Sequence, residues 1–390
     1  MIRNLRVSEL KPGMFIIDPG IDWTKRPYLY AANMLLKSEE DIRQIEGQGY
    51  SEVYVDFSRS ATPAFAKDFT DRESTALPGP KVSLDEELPV ARKVHDESVG
   101  YARKFMTDMR NGKVNVSSAT KTVEGIMESL ERNADAMLSL CRLRRVDSYT
   151  HMHCVNVAVL TTVFSRYMGE KKEDIFLSGF AGLFHDLGKA LIPLNILNAP
   201  RKLSNAEFAA MRQHPQLGFE QLATLPDISS AVLQGALQHH EKHDGSGYPN
   251  GISGENISPI GRMVGVADVY DALSSERPYK KAMTAHKALG IMYQISGKEF
   301  DPAYLARFIR MMGVYPVGSV VELEDGWKGV VSISNPESPA KPTVRLVRDP
   351  EGNTAREDRN LAAGETAAIK TCLAPEEAGG IDPVAVLGLE

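Results

Sequence analysis

The stretch FAGLFHDLGK, residues 180–189, decides how this chain is read. An apolar helical run ends on His185 and Asp186, and Lys189 follows Asp186 by three residues. Alone, His185 would read as a hydrogen-bonded structural histidine at a helix end. It does not stand alone. His153 lies upstream, and His214 in MRQHP, His239 and His240 in QHHE, and Asp268 in VADVYD lie downstream. Five of the nine histidines fall in this set. The positions are far apart in the chain and each sits in an apolar helical context, so only a fold can bring them together. Imidazole nitrogen and carboxylate oxygen without thiolate suit divalent iron, manganese or zinc.

Composition sets the bounds. With 390 residues the chain should hold two or three domains around an ample core. Hydrophobic content of 43% and charged content of 25% are ordinary for a globular protein. No apolar run reaches the ~18 residues of a membrane span. The N-terminal MIRNLRVSELKPG lacks a signal-peptide core. Cys141, Cys154 and Cys372 show no CxxC spacing and suit a reducing cytoplasm. A net charge of −6 argues against a general nucleic-acid binder. An anionic substrate would need local positive charge and metals.

Around the central stretch the texture changes twice. Residues 1–57 read as a small α+β domain. Lys11-Pro12-Gly13 makes a turn, Ser38 caps a helix over Glu39–Gln44 with Asp41 at its third position, and Glu52–Phe57 alternates as a strand. Residues 58–89, with Pro63, Pro78, Pro80 and Pro89 among charges, read as a linker. Residues 90–315 read as all-helical, with Val123, Ile126, Met127, Leu130, Met137 and Cys141 on one face. Ser204–Glu207 is a capping box expected to open the helix carrying His214, and Asp301-Pro302 and Gly313 bound another helix. Residues 316–370 read as a small β appendage with a hairpin around Asp325-Gly326, and residues 371–390 as a flexible tail. The fold class is mainly α.

The order H…HD…H…HH…D resembles the HD superfamily of metal-dependent phosphohydrolases. HHEKHDGSGYP (239–249), HDLGK (185–189), DVYD (268–271) and RPYKKA (277–282) narrow the resemblance to the HD-GYP family, over about residues 90–315. The first 57 residues resemble a small domain of unknown function often found before HD-GYP domains. The resemblance implies a bacterial cytoplasmic phosphodiesterase that hydrolyses cyclic di-GMP to linear pGpG, with GMP as an open further product. Another cyclic dinucleotide as substrate, or a cyclic di-GMP receptor without turnover, are the rival readings. The intact ligand set weighs against the receptor. Signalling proteins are further candidate partners, and the oligomeric state is left open.

Two divalent ions, iron or manganese, would neutralise phosphate oxygens and lower the pKa of a bridging water, so that hydroxide attacks phosphorus. Asp186 is the candidate bridge, the family role of the aspartate in the HD pair. His185 and Asp268 would complete one metal, and His214, His239 and His240 the other. His153 would lie at the edge, as ligand or phosphate contact. Lys189 is expected to be catalytic and to bind phosphate. Tyr248, Arg277 and Lys280 are expected to contact substrate. Asp271, one turn beyond Asp268, would contact substrate or orient a ligand. His95, His151, His243 and His286 match no ligand position. Cys154 stands where the family often has serine, read as a neutral swap. Tyr149 stands where some members carry a carboxylate for a third metal, which argues for two.

Overall fold

The structure is a computed structural model. It describes residues 2–10, 12–18, 34–47, 52–56, 79–112, 116–143, 149–275, 283–335, 337–363, 367–374 and 376–389.

The N-terminal unit holds β1 (Ile2–Arg6), β2 (Phe15–Asp18), β3 (Met34–Leu35), α1 (Glu39–Gly47) and β4 (Glu52–Asp56). The strands pair antiparallel in the order β1-β4-β2-β3. Val53 and Val55 point into a small core with Ile16, Leu36, Ile42 and Ile45, as the period of two requires. Ser38 and Asp41 cap α1 reciprocally: the Ser38 amide donates to Asp41 Oδ2 at 2.9 Å, and the Asp41 amide to Ser38 Oγ at 3.4 Å.

The helical body begins with α2 (Leu84–Arg110), not at residue 90. Ser83 and Glu86 form a capping box there, and Leu84 and Leu88 are buried. Pro89, read from sequence as linker, is tolerated in the early turns of α2. A truncation starting near 90 would therefore cut a core helix. Next come α3 (Ser117–Leu143) and α4 (Tyr149–Tyr167). Asn133 breaks α3 with φ −158° and ψ 105°. The six residues expected on one helix face are all buried, but on two segments either side of that break.

The helices α5 (Lys172–Phe184), α6 (Leu194–Leu197), α7 (Asn205–Met211), α8 (His214–Ala223), α9 (Ser230–Gln238), α10 (Pro259–Ser274), α11 (Ala285–Gln294) and α12 (Pro302–Met312) complete the body. Apolar nearly all round, α4 is its central helix, packed by α2, α3, α5 and α10. The Ser204–Glu207 capping box forms, but it opens α7, which ends before His214; Pro215 then starts α8 in its first turn. Asp301 caps α12 through the amides of Ala303 and Tyr304.

Gly188 sits in a 3-10 turn between α5 and α6 that lies directly on α8. A methyl group there would collide with the carbonyl oxygen of His214 and approach the Gly218 amide to 2.6 Å. Gly188→Ala should push α8 off the turn, at about the 1–3 kcal/mol of an overpacked core. Thermal melting and metal content should both fall. A variant unchanged in both would mean that the turn shifts freely.

The C-terminal sheet contains β5 (Val320–Leu323), β6 (Lys328–Ile333), β7 (Thr343–Arg348), β8 (Thr354–Asn360) and β9 (Ile369–Cys372), in the antiparallel order β8-β7-β6-β5-β9. The expected hairpin is β5–β6, with Val320 opposite Val330. Val321, Val331, Val344 and Leu346 join the same core as the helices, so the sheet is continuous with the body. Residues 371–390, expected to be a frayed tail, are largely ordered. Leu373, Ile381, Leu387 and Leu389 are buried, α13 (Pro383–Val386) forms, and Arg92 Nη2 donates to the Gly388 carbonyl at 3.1 Å. Gly379, Gly380 and Gly388 make turns between buried apolar anchors, and Pro383 opens α13. No helix among the described residues is long and apolar enough to cross a membrane.

Candidate metal centre

One local device places three of the histidines. His185 follows α5, His239 follows α9, and His214 lies three residues beyond the last residue of α7. In each, Nδ1–H donates to the carbonyl three residues back: Gly182 at 2.7 Å, Ala236 at 2.8 Å and Met211 at 2.8 Å. Those carbonyls belong to last turns, where no intrahelical donor remains. The bond fixes the tautomer and leaves Nε2 as a bare lone pair aimed inward. Asp186 follows His185 directly, and α10 supplies Asp268.

The ligand atoms converge as two groups: His153, His185 and Asp268, and Asp186, His214, His239 and His240. Asp186 spans them. Its Oδ2 lies 3.4 Å from His185 Nε2 and 3.5 Å from His153 Nε2, while its Oδ1 lies 3.2 Å from His214 Nε2 and 3.9 Å from His239 Nε2. Asp268 Oδ1 lies 3.0 Å from His153 Nε2, and its Oδ2 lies 3.8 Å from His240 Nδ1.

The donor set fits metal ions. His214 and His239 present Nε2 to Nε2 at 3.2 Å with both Nδ1 hydrogens engaged elsewhere. Two lone pairs face each other there, and a cation turns that repulsion into ligation. Asp186 Oδ1 is buried without a hydrogen-bond partner, the same signature from the carboxylate side.

The electrostatics favour the ligating forms. Burial works against the charge of Asp186, but Lys189 and His185 overcome it and hold the carboxyl well below its usual range. Burial likewise opposes ionisation of Asp268, and His153 outweighs it. Burial, then the neighbouring histidines, keeps His239 neutral; burial pushes His240 down to about 3 against the pull of Asp268. His153 differs. Burial opposes its charge, yet Asp268 and Asp271 push its pKa up to about 9.

His153 was expected at the edge of the site. It is instead 3% exposed and packed within the first group. Asp271, expected to contact substrate or to orient a ligand, is 2% exposed and accepts from His153 Nδ1 at 2.7 Å, a placement that suits the second role. Lys189 Nζ donates to Asp186 Oδ2 at 2.6 Å, and with Thr150, His153, Asp186, His240 and Asp268 it lines a cavity of about 270 Å³. Tyr248 packs its ring on His240 at 4.7 Å, and the guanidinium of Arg212 sits 4.5 Å from the Tyr248 ring centre. Sequence reasoning missed Arg212. Gly247 serves close approach, since a Cβ there would come within 2.6 Å of the His240 carbonyl oxygen. Burial pushes the Cys154 thiol up, which keeps it neutral and inert. Arg277 and Lys280 lie outside the described residues, as does the side chain of Tyr149. His151 and His243 take no part in either ligand group.

Comparison with known proteins places these features. Residues 141–304 match the HD domain family, residues 2–119 a domain of unknown function (DUF3391), and residues 320–380 a KOW domain associated with HD domain. The chain is 35% identical over 355 residues to a Pseudomonas aeruginosa protein named cyclic di-GMP phosphodiesterase PA4108, covering 89% of this chain and 85% of that protein. It is 35% identical over 198 residues to the Xanthomonas campestris pv. campestris cyclic di-GMP phosphodiesterase response regulator RpfG, covering 50% of this chain and 52% of that one. It is 38% identical over 169 residues to 3'3'-cGAMP-specific phosphodiesterase 3 of Vibrio cholerae, covering 43% and 36%. With its buried histidine–aspartate cluster, the chain belongs to the HD-GYP family of metal-dependent HD-domain phosphohydrolases.

Proposed function

We propose that this protein is a phosphodiesterase that opens cyclic di-GMP to linear pGpG, with two divalent ions, iron or manganese, held by His153, His185 and Asp268 on one side and His214, His239 and His240 on the other. Asp186 would offer one oxygen to each. The observation that carries this reading is that the two oxygens of Asp186 face two different sets of imidazole nitrogens. When bound, the ions would supply charge for the phosphate oxygens and a water of lowered pKa. The rest falls to the chain. His185, His214 and His239 are held to one tautomer by carbonyls, so their lone pairs need no reorganisation. Lys189, partly exposed in the cavity, offers an ammonium to a phosphate while it steadies Asp186. Tyr248 and Arg212 form the wall beside His240, where a base edge would lie.

The cyclic di-GMP assignment comes from the relatives' names, and the Vibrio cholerae relative makes 3'3'-cGAMP the second reading. Cytoplasmic residence suits three cysteines present as free thiols. Anaerobically purified protein should contain metal and convert cyclic di-GMP to pGpG faster than it converts 3'3'-cGAMP. Product separation over time also tells whether GMP follows. Tight binding without any linear product, with iron and with manganese under reducing conditions, would sink the enzyme reading.

Lys189→Ala should keep both ions and lose about 10–100-fold in activity, the size of losses at outer-shell partners of metal ligands. Metal analysis beside steady-state rates checks this. Loss of metal in step with activity would make Lys189 a support for Asp186 alone.

A further inference from the structure

Behind His153 a chain of hydrogen bonds runs away from the cavity. Asp271 receives His153 Nδ1–H on Oδ2, and on Oδ1 it accepts from Asn156 Nδ2 at 2.8 Å and from Ser275 Oγ at 2.9 Å. The second hydrogen of the Asn156 amide goes to the Cys141 carbonyl at 3.0 Å. The Asn156 carbonyl oxygen therefore accepts, and its donor is His95 Nε2–H at 3.3 Å. The opposite amide orientation would set an oxygen against two acceptors, so the network fixes the orientation. Asn156 is 1% exposed and His95 0%. The chain joins four helices: α2 through His95, α3 through the Cys141 carbonyl, α4 through Asn156 and His153, and α10 through Asp271 and its C-terminal cap Ser275.

We propose that Asn156 and His95 are positioning residues for the metal centre: together they hold Asp271, which sets the tautomer and rotamer of His153, and so they tie one ligand group to the seating of α2. The inference rests on the metal reading above. Its force comes from an asymmetry. His214 and His239, in the other group, take their Nδ1 orientation from the backbone carbonyls at the ends of α7 and α9. His153 Nδ1 is held by a side chain, Asp271, that itself needs holding. A buried polar network between apolar helix faces is unfavourable unless every member is satisfied. Apolar residues would pack those faces at least as well, so fold stability alone does not call for it. Moreover, α2 is the first helix after the N-terminal sheet among the described residues, so a shift of α2 would reach His153 through His95.

The test separates selective from general damage. In full-length Asn156→Leu, competition with a chelator should show one ion weakened about 10–100-fold and the other held as in wild type. The kcat should fall by a similar factor, with KM little changed. His95→Leu should show a weaker form of the same split, and His95→Gln, which restores an amide donor, should recover most of it. Both ions bound with wild-type affinity and an unchanged kcat in folded Asn156→Leu would overturn the proposal. Equal loss of both ions would also overturn it, because that is what a merely structural role predicts. Should Asn156→Leu fail to fold, His95→Leu against His95→Gln decides by the same readout. If wild-type protein binds no metal, the metal reading fails first, and that result is distinct from either outcome.

Discussion

Replacing Asp186 with alanine should abolish hydrolysis and empty the site in a protein that still folds. The carboxylate serves both ligand groups at once, through Oδ2 toward His153 and His185 and Oδ1 toward His214 and His239. Outer-shell losses in metal sites reach about 100-fold, and losing a ligand shared by two ions should exceed that. Asp186→Asn is the sharper variant. It keeps the volume but leaves one oxygen where two were needed, and its amide hydrogens would hydrogen-bond to the imidazole lone pairs of one group. Metal analysis should therefore show at most one ion retained, with activity near background, while circular dichroism stays native. An Asp186→Asn protein that keeps both ions and most of its rate would remove Asp186 from the bridging role.

The ligands were legible because a helix end that carries a histidine has few other reasons to recur. His185 and His239 each follow the last turn of a helix, His214 opens α8 three residues past α7, and in each case the carbonyl that fixes Nδ1 is the one three residues back. Sequence order and residue type thus carried the site without its geometry. Asp271 was harder. One turn from Asp268 it could face the cavity or the interior, and the packing of α4 against α10 decides for the interior. Asn156, three residues after His153 on α4, shares its face and was within reach of helical periodicity. His95 was not, because nothing local says that α2 lies behind α4. The fold shows the same division. The capping box at Ser204 marks a true helix start and the one at Ser83 lies inside the stretch that sequence reads as linker, while where α7 ends depends on contacts far away. The C-terminal segment failed for a related reason: glycine and proline read as looseness, whereas Leu387 and Leu389 are buried by a surface that sequence does not announce.

Stripping the metal should eliminate activity and lower the melting temperature, and the lowering should grow as pH rises. Ions present at about a hundred times their dissociation constant contribute roughly 2.7 kcal/mol per site, which for a body of this size is about 5–10 °C. Without metal, His153 takes up a proton between Asp268 and Asp271, and its pKa stands at about 9 against an unfolded value of 6.5. A folded pKa raised in this way gives stability that is full below 6.5 and is lost as pH climbs to about 9. The metal-free protein should therefore melt lower at the alkaline end of that window than at the acid end. Metal binding needs the bare Nε2 and must expel the same proton. Affinity at the His153 group should rise across the window by up to about tenfold per pH unit for one displaced proton. The gap between metal-loaded and metal-free melting temperatures should widen toward alkaline pH. Melts and metal titrations at both ends of the window check this in wild type. A gap that stays constant or narrows would mean that His153 does not exchange its proton for a metal ion.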